Sequence, residues 1–127
     1  MAFDENAHIG IIGAMDVEVD SLKSLMRQSG DVAEKTQAGM TFSTGRLGDH
    51  AVTIVKCGVG MVNAALCANT LINGFGATAV VNTGIGGSLD ASIDIGDIVV
   101  AIDAVNHIMD VSNLGYAVGQ TPGTDTL

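Results

Sequence analysis

A chain of 127 residues that is 47% hydrophobic holds enough apolar material for one packed domain, which excludes a disordered or fibrous chain. Aromatic residues make up only 3% of it, so aliphatic side chains, Met and closely approaching glycine backbones have to fill the interior. Fourteen acidic against five basic residues give a formal charge of −9, and no Lys or Arg follows Lys56, which argues against nucleic acid and an anionic membrane surface as partners.

In chain order, residues 8–13 form a short apolar run ending in glycine, the pattern of a buried strand. Over residues 15–27, Met15, Val19, Leu22, Leu25 and Met26 recur at helical spacing, with Asp16, Glu18, Asp20, Lys23 and Arg27 on other faces. That spacing predicts an amphipathic helix, closed by Gly30 and the polar residues after it. Residues 40–45 and 51–57 read as two strands of a hairpin joined across Leu47-Gly48-Asp49-His50. Gly58-Val59-Gly60 leads into an Ala-rich helix over 61–72, which Asn73-Gly74 is expected to close. Residues 77–82 form a second buried-strand run and enter Thr83-Gly84-Ile85-Gly86-Gly87-Ser88. A further strand is expected over 97–102, and a polar loop over 106–127. Cys57 and Cys67 fit no zinc spacing and read as buried reduced thiols. No leader of basic then apolar residues and no apolar run near the roughly 20 residues of a bilayer span is seen, so the expected compartment is the cytoplasm.

Three strands thus run into glycine loops: Gly13-Ala14, Gly58-Val59-Gly60 and Gly84-Ile85-Gly86-Gly87. If the strands are parallel neighbours, all three loops share one edge of the sheet, where open α/β folds bind ligands. None of them is a nucleotide fingerprint, because Asn63 stands where the dinucleotide pattern has glycine and no loop carries the Lys-Ser/Thr of a phosphate loop. His8, His50 and His107 are scattered, which argues against a metal, and Ser88 lacks the context of a nucleophilic serine. Asp16 is accounted for by the positive end of its helix. Glu18 follows the first glycine loop closely enough to turn toward a pocket mouth, where a partly dry carboxylate is expected to have a raised pKa and to take a proton from water.

Four ordered blocks, IGIIGAMDVEVD, VKCGVGMVNAALCANTLI, VVNTGIGGSLDASIDIGDIVV and DVSNLGYAVGQTPG, resemble the 5′-methylthioadenosine/S-adenosylhomocysteine nucleosidases of the purine nucleoside phosphorylase superfamily. The resemblance runs from His8 to about Gly123 and covers about the N-terminal half of such an enzyme, so residues 1–127 are expected to be the N-terminal portion of one truncated domain. It implies a three-layer αβα sandwich around a mixed sheet, a homodimer, no cofactor, and hydrolysis of the N-glycosidic bond of a small thio-substituted nucleoside with release of adenine. By position, Glu18 matches the general base for the attacking water. Ala14 and Met15 match the ribose side, Val59 an apolar contact to the sugar, and Ile85-Gly86-Gly87 the loop behind base and water. Val111, Leu114 and Pro122 match positions that reach across the dimer as a lid. The sequence departs from the family pattern at Ile85, commonly serine, at Met61, commonly lysine, and at Leu114, commonly aromatic. Phosphorolysis is the competing chemistry, and a non-catalytic half-domain that binds a ligand or another chain is the other alternative. An acidic loop that would repel phosphate favours water as the nucleophile.

Overall fold

The computed structural model describes residues 6–124, which divide into two compact units with the boundary after Gly87. The first is built on a five-stranded mixed sheet. Strand β1 (His8–Gly13) is followed by helix α1 (Asp16–Ser29), strands β2 (Ala33–Gln37), β3 (Met40–Leu47) and β4 (His50–Lys56), helix α2 (Met61–Phe75) and strand β5 (Ala79–Asn82). The strands lie in the order β2-β3-β4-β1-β5; β1 is parallel to both β4 and β5, and β2, β3 and β4 are antiparallel in turn.

Side-chain alternation along the strands puts one helix on each face, which makes the αβα sandwich. Ile9, Val52 and Ile54 pack with Val19 and Met26 of α1. Residues an odd number of places along, Ile12 and Val55, pack with Phe42, Cys67 and Leu71 on the α2 side. Gly10 serves that second face, because a Cβ there would lie 2.9 Å from Leu71 Cδ1. Phe42 is fully buried and stacks on Phe75 with ring centroids 4.4 Å apart. Both cysteines are free and buried in this cluster, and burial, with Cys57 beside it, pushes the Cys67 thiol up to about 12.

Several expectations need correction. Helix α2 runs past Asn73-Gly74 to Phe75 and ends at Gly76, whose φ of 71° supports a terminal turn in which the Ala77 N–H donates to the Leu71 carbonyl. Phe75 belongs to the helix because its ring is needed against Phe42. Leu25, in the periodic pattern of α1, remains 52% exposed. Strand β2 was not expected: its sequence AEKTQ has no apolar alternation, since it is an edge strand with little to bury. It is aligned by a two-residue loop, Ala38-Gly39, in which both residues have positive φ, as a type I′ hairpin turn requires.

The second unit is made of turns. Asp90 accepts hydrogen bonds from the Ser92 amide and hydroxyl, the Ser112 amide donates to Asp110, and a short 3-10 turn spans Ser112–Leu114. Residues 97–102 do not form the expected strand. They join no strand ladder among the described residues, and Ile98, Val100 and Ile102 are almost fully exposed. Their β-branched composition suits a ladder, but a ladder needs a second strand. The polar loop expected over 106–127 agrees with the turns seen to 124; its last three positions lie outside the described residues.

Candidate functional site

Parallel pairing of β4, β1 and β5 brings the three glycine loops to the C-terminal edge of adjacent strands, as the sequence led us to expect. The edge is stitched by backbone hydrogen bonds that continue past the strands: the Cys57 amide donates to Gly13 O at 2.9 Å, and Thr83 to Ile12 O at 2.9 Å. Over the middle of this edge stands Glu18. Its position follows from the helix start. Met15 is the N-cap in extended conformation, and Glu18, three residues on, reaches back as the acidic arm of a capping box.

The carboxylate is held on two sides. Glu18 Oε2 accepts from the amides of Ala14 (2.7 Å) and Met15 (2.9 Å), while Oε1 accepts from the amide of Ile85 at 3.3 Å. Glycine at two strand ends makes this possible. A Cβ on Gly13 would come within 2.6 Å of Val19 Cγ1 and 3.1 Å of Glu18 Cβ, and one on Gly84 within 2.9 Å of Glu18 Oε1. A carboxylate offers about four lone-pair positions. Three are taken by amides, which leaves one on Oε1, the oxygen beside the β5 loop.

The electrostatics differ from expectation. Instead of being raised, the Glu18 pKa is lowered from its ordinary 4.5, first by the Met15 amide and then by those of Ile85 and Ala14, which outweigh the opposing effect of burial. The group is therefore ionised at neutral pH. A second feature was not foreseen. Lys56, at the end of β4 and opposite Gly13 in the register, places its Nζ 2.8 Å from Asp16 Oδ2. This ion pair, first among the causes, holds the Asp16 carboxyl below its usual range, so Asp16 has a partner besides the helix end. Only the neighbouring placement of β1 and β4 reveals it, and no sequence spacing signals a pair 40 residues apart.

The remaining expected positions lie as follows. Ala14, Met15 and Ile85 touch Glu18 through their backbones, and the Ile85 side chain is 83% exposed. Val59 is exposed in the loop before α2, its carbonyl accepting from Asn63 Nδ2. Gly86 and Gly87 have open space where a Cβ would stand. Val111, Leu114 and Pro122 belong to the second unit, with Leu114 and Pro122 exposed. Among the described residues no group of three or more His, Cys, Asp or Glu is placed to hold a metal ion, and no helix is long and apolar enough to cross a membrane.

Residues 8–125 match the sequence model of the phosphorylase superfamily. The chain belongs to that superfamily. Among its relatives, a 5′-methylthioadenosine/S-adenosylhomocysteine nucleosidase of Pseudoalteromonas translucida is 39% identical over 115 residues, 91% of this chain and 48% of the relative. Solved structures of the superfamily agree with this. The nucleosidase of Colwellia psychrerythraea, in complex with adenine, superposes with a TM-score of 0.88 at 42% identity over 94% of this chain and 48% of its own. The S-adenosylhomocysteine nucleosidase of Streptococcus pyogenes, in complex with 5-methylthiotubericidin, gives 0.88 at 38% identity over 94% and 50%. The chain spans about half the length of the curated relatives it matches.

Proposed function

We propose that this chain supplies the water-activating half of an N-glycosidase that hydrolyses 5′-methylthioadenosine or S-adenosylhomocysteine and releases adenine. The observation that supports this best is the Glu18 carboxylate, ionised and fixed by three amides at the glycine-lined edge, with one lone pair left on Oε1. In this reading the free position accepts a proton from the attacking water. Glycosidic cleavage passes through an oxocarbenium-like transition state. The sugar carbon is then strongly electrophilic, so a carboxylate of low basicity suffices. Fixed orientation replaces the raised pKa as the source of its competence. Ala14, Met15 and Val59 are assigned to the sugar, and Ile85, Gly86 and Gly87 to the space behind base and water.

With this reading go a small nucleoside substrate, no cofactor, a homodimer in which Val111, Leu114 and Pro122 form a lid over the partner's site, and a cytoplasmic setting. The free thiols Cys57 and Cys67 are what a reducing compartment maintains. Residues 1–127 are taken as the N-terminal portion of a single nucleoside phosphorylase-like domain. The group that protonates the departing base is assigned to the remainder of that domain. General-acid help of this kind is worth roughly 100- to 10,000-fold.

Adenine release, followed with and without phosphate, tests the proposal. Residues 1–127 alone are expected to release none, and the protein completed by the rest of the domain to yield free sugar regardless of phosphate. Glu18→Gln in the completed protein is expected to lower turnover by about 100-fold or more. Wild-type turnover in that variant, or a sugar 1-phosphate product, overturns the assignment.

A further inference from the structure

Five cations are present in the chain, and three of them are engaged away from the loop edge. Arg27 pairs with Glu34, Lys35 stands over the Phe75 ring at 5.4 Å, and Arg46 donates to the Asp49 carbonyl in the β3–β4 turn; Lys23, in the second turn of α1, acts on the Asp16 carboxylate through space, but the ion pair of Asp16 is with Lys56. Lys56 alone follows a parallel strand into its glycine loop, next to the strand whose loop carries Glu18. An ammonium there, beside exposed loop amides, is the element that would hold an anion at this edge. It is instead bound to Asp16 at 2.8 Å, in a pair left 45% and 62% exposed at its two side chains. Exposed pairs of this kind add little to folding stability. Their influence is on the local field, which a paired lysine leaves negative because Glu18 is ionised nearby on the same helix.

We propose that Asp16 is a specificity-determining residue: by holding the Lys56 ammonium it withdraws the one cation that leads into a glycine loop from inorganic anions and leaves water as the nucleophile. The proposal deepens the hydrolytic reading above and rests on it for its catalytic meaning. The charge arrangement itself is testable without turnover.

Binding of inorganic phosphate to the purified chain is measured by phosphorus NMR titration for wild type, Asp16→Asn, Asp20→Asn and the double variant Asp16→Asn/Lys56→Met. Asp20 lies on the same helix and takes part in neither ion pair seen, so its variant carries the same change in net charge without releasing Lys56. Asp16→Asn is expected to tighten phosphate by up to about fivefold, the range that freeing an exposed ion pair allows. Asp20→Asn is expected to change it little, and Lys56→Met to abolish the gain. Asp16→Glu, which can keep the pair, is expected to behave as wild type and guards against a folding artefact. An equal gain in both Asn variants, a gain that survives Lys56→Met, or no gain in Asp16→Asn while its circular dichroism matches wild type overturns the proposal. The two readings fail separately: absence of adenine release from the completed protein removes the hydrolytic assignment but leaves these affinities unaffected.

Discussion

The two units of the chain use the same aliphatic residues to opposite effect. In the first, Ile9, Ile12, Val52, Ile54 and Val55 alternate along paired strands and are almost completely covered. In the second, Leu89, Ile95, Ile98, Val100 and Ile102 are at least 84% exposed. Hydrophobicity is similar; the difference is that β1 has a strand on each side, so its backbone groups are satisfied and each face can receive a helix. Apolar composition gives a segment the tendency to be buried, and only a partner lets it be buried.

Hydrogen exchange offers the sharpest way to break this comparison. Amides of β1 and β4 are expected to exchange about a thousandfold or more slowly than those of residues 97–102, as core ladders differ from open backbone. Comparable protection in both would mean that 97–102 has found a partner. Substitution is the next test. Phe42→Ala should lower stability by about 3–5 kcal/mol in urea titration, because a buried ring stacked on Phe75 is lost. Ile98→Ser should stay within about 0.5 kcal/mol of wild type, as for an exposed position. A large loss from Ile98→Ser would place it in a core.

The smallest expected effect is in acid. Since the folded pKa of Glu18 is depressed, its contribution is fully present above its ordinary 4.5 and disappears as pH falls through the lower folded value. Replacing it by Gln should therefore flatten the decline in urea midpoint below pH 4.5, and an unchanged acid slope would mean that the three amides do not favour its charged form.

Much of the first unit was legible in the sequence because burial there is written as periodicity. The apolar stripe Val19, Leu22, Met26 predicts α1, and alternation predicts the β3–β4 hairpin and the strands entering the glycine loops. Strand β2 was hidden because Glu34, Lys35, Thr36 and Gln37 bury almost nothing. Residues 97–102 were misread for the converse reason: composition reports a preference for burial, not whether a neighbour is present to meet it. At the site, position on the helix pointed to Glu18, but its pKa was expected in the wrong direction. The Ile85 amide that helps to lower it is 67 residues away in sequence, and only the parallel neighbours β1 and β5 bring it near. The Lys56–Asp16 pair was missed for the same reason.

The two borders of the sheet are unlike. Strand β2 ends it with alternating charge and polarity, Glu34 engaged by Arg27 and Lys35 folded over an aromatic ring. Such a border resists the addition of another strand. On the far side β5, Ala79-Val80-Val81-Asn82, is short, uncharged and bonded to β1 alone among the described residues. The β5 border is therefore the more open of the two, and a strand joining it would bond to the alternate backbone groups of residues 79–82 that do not face β1.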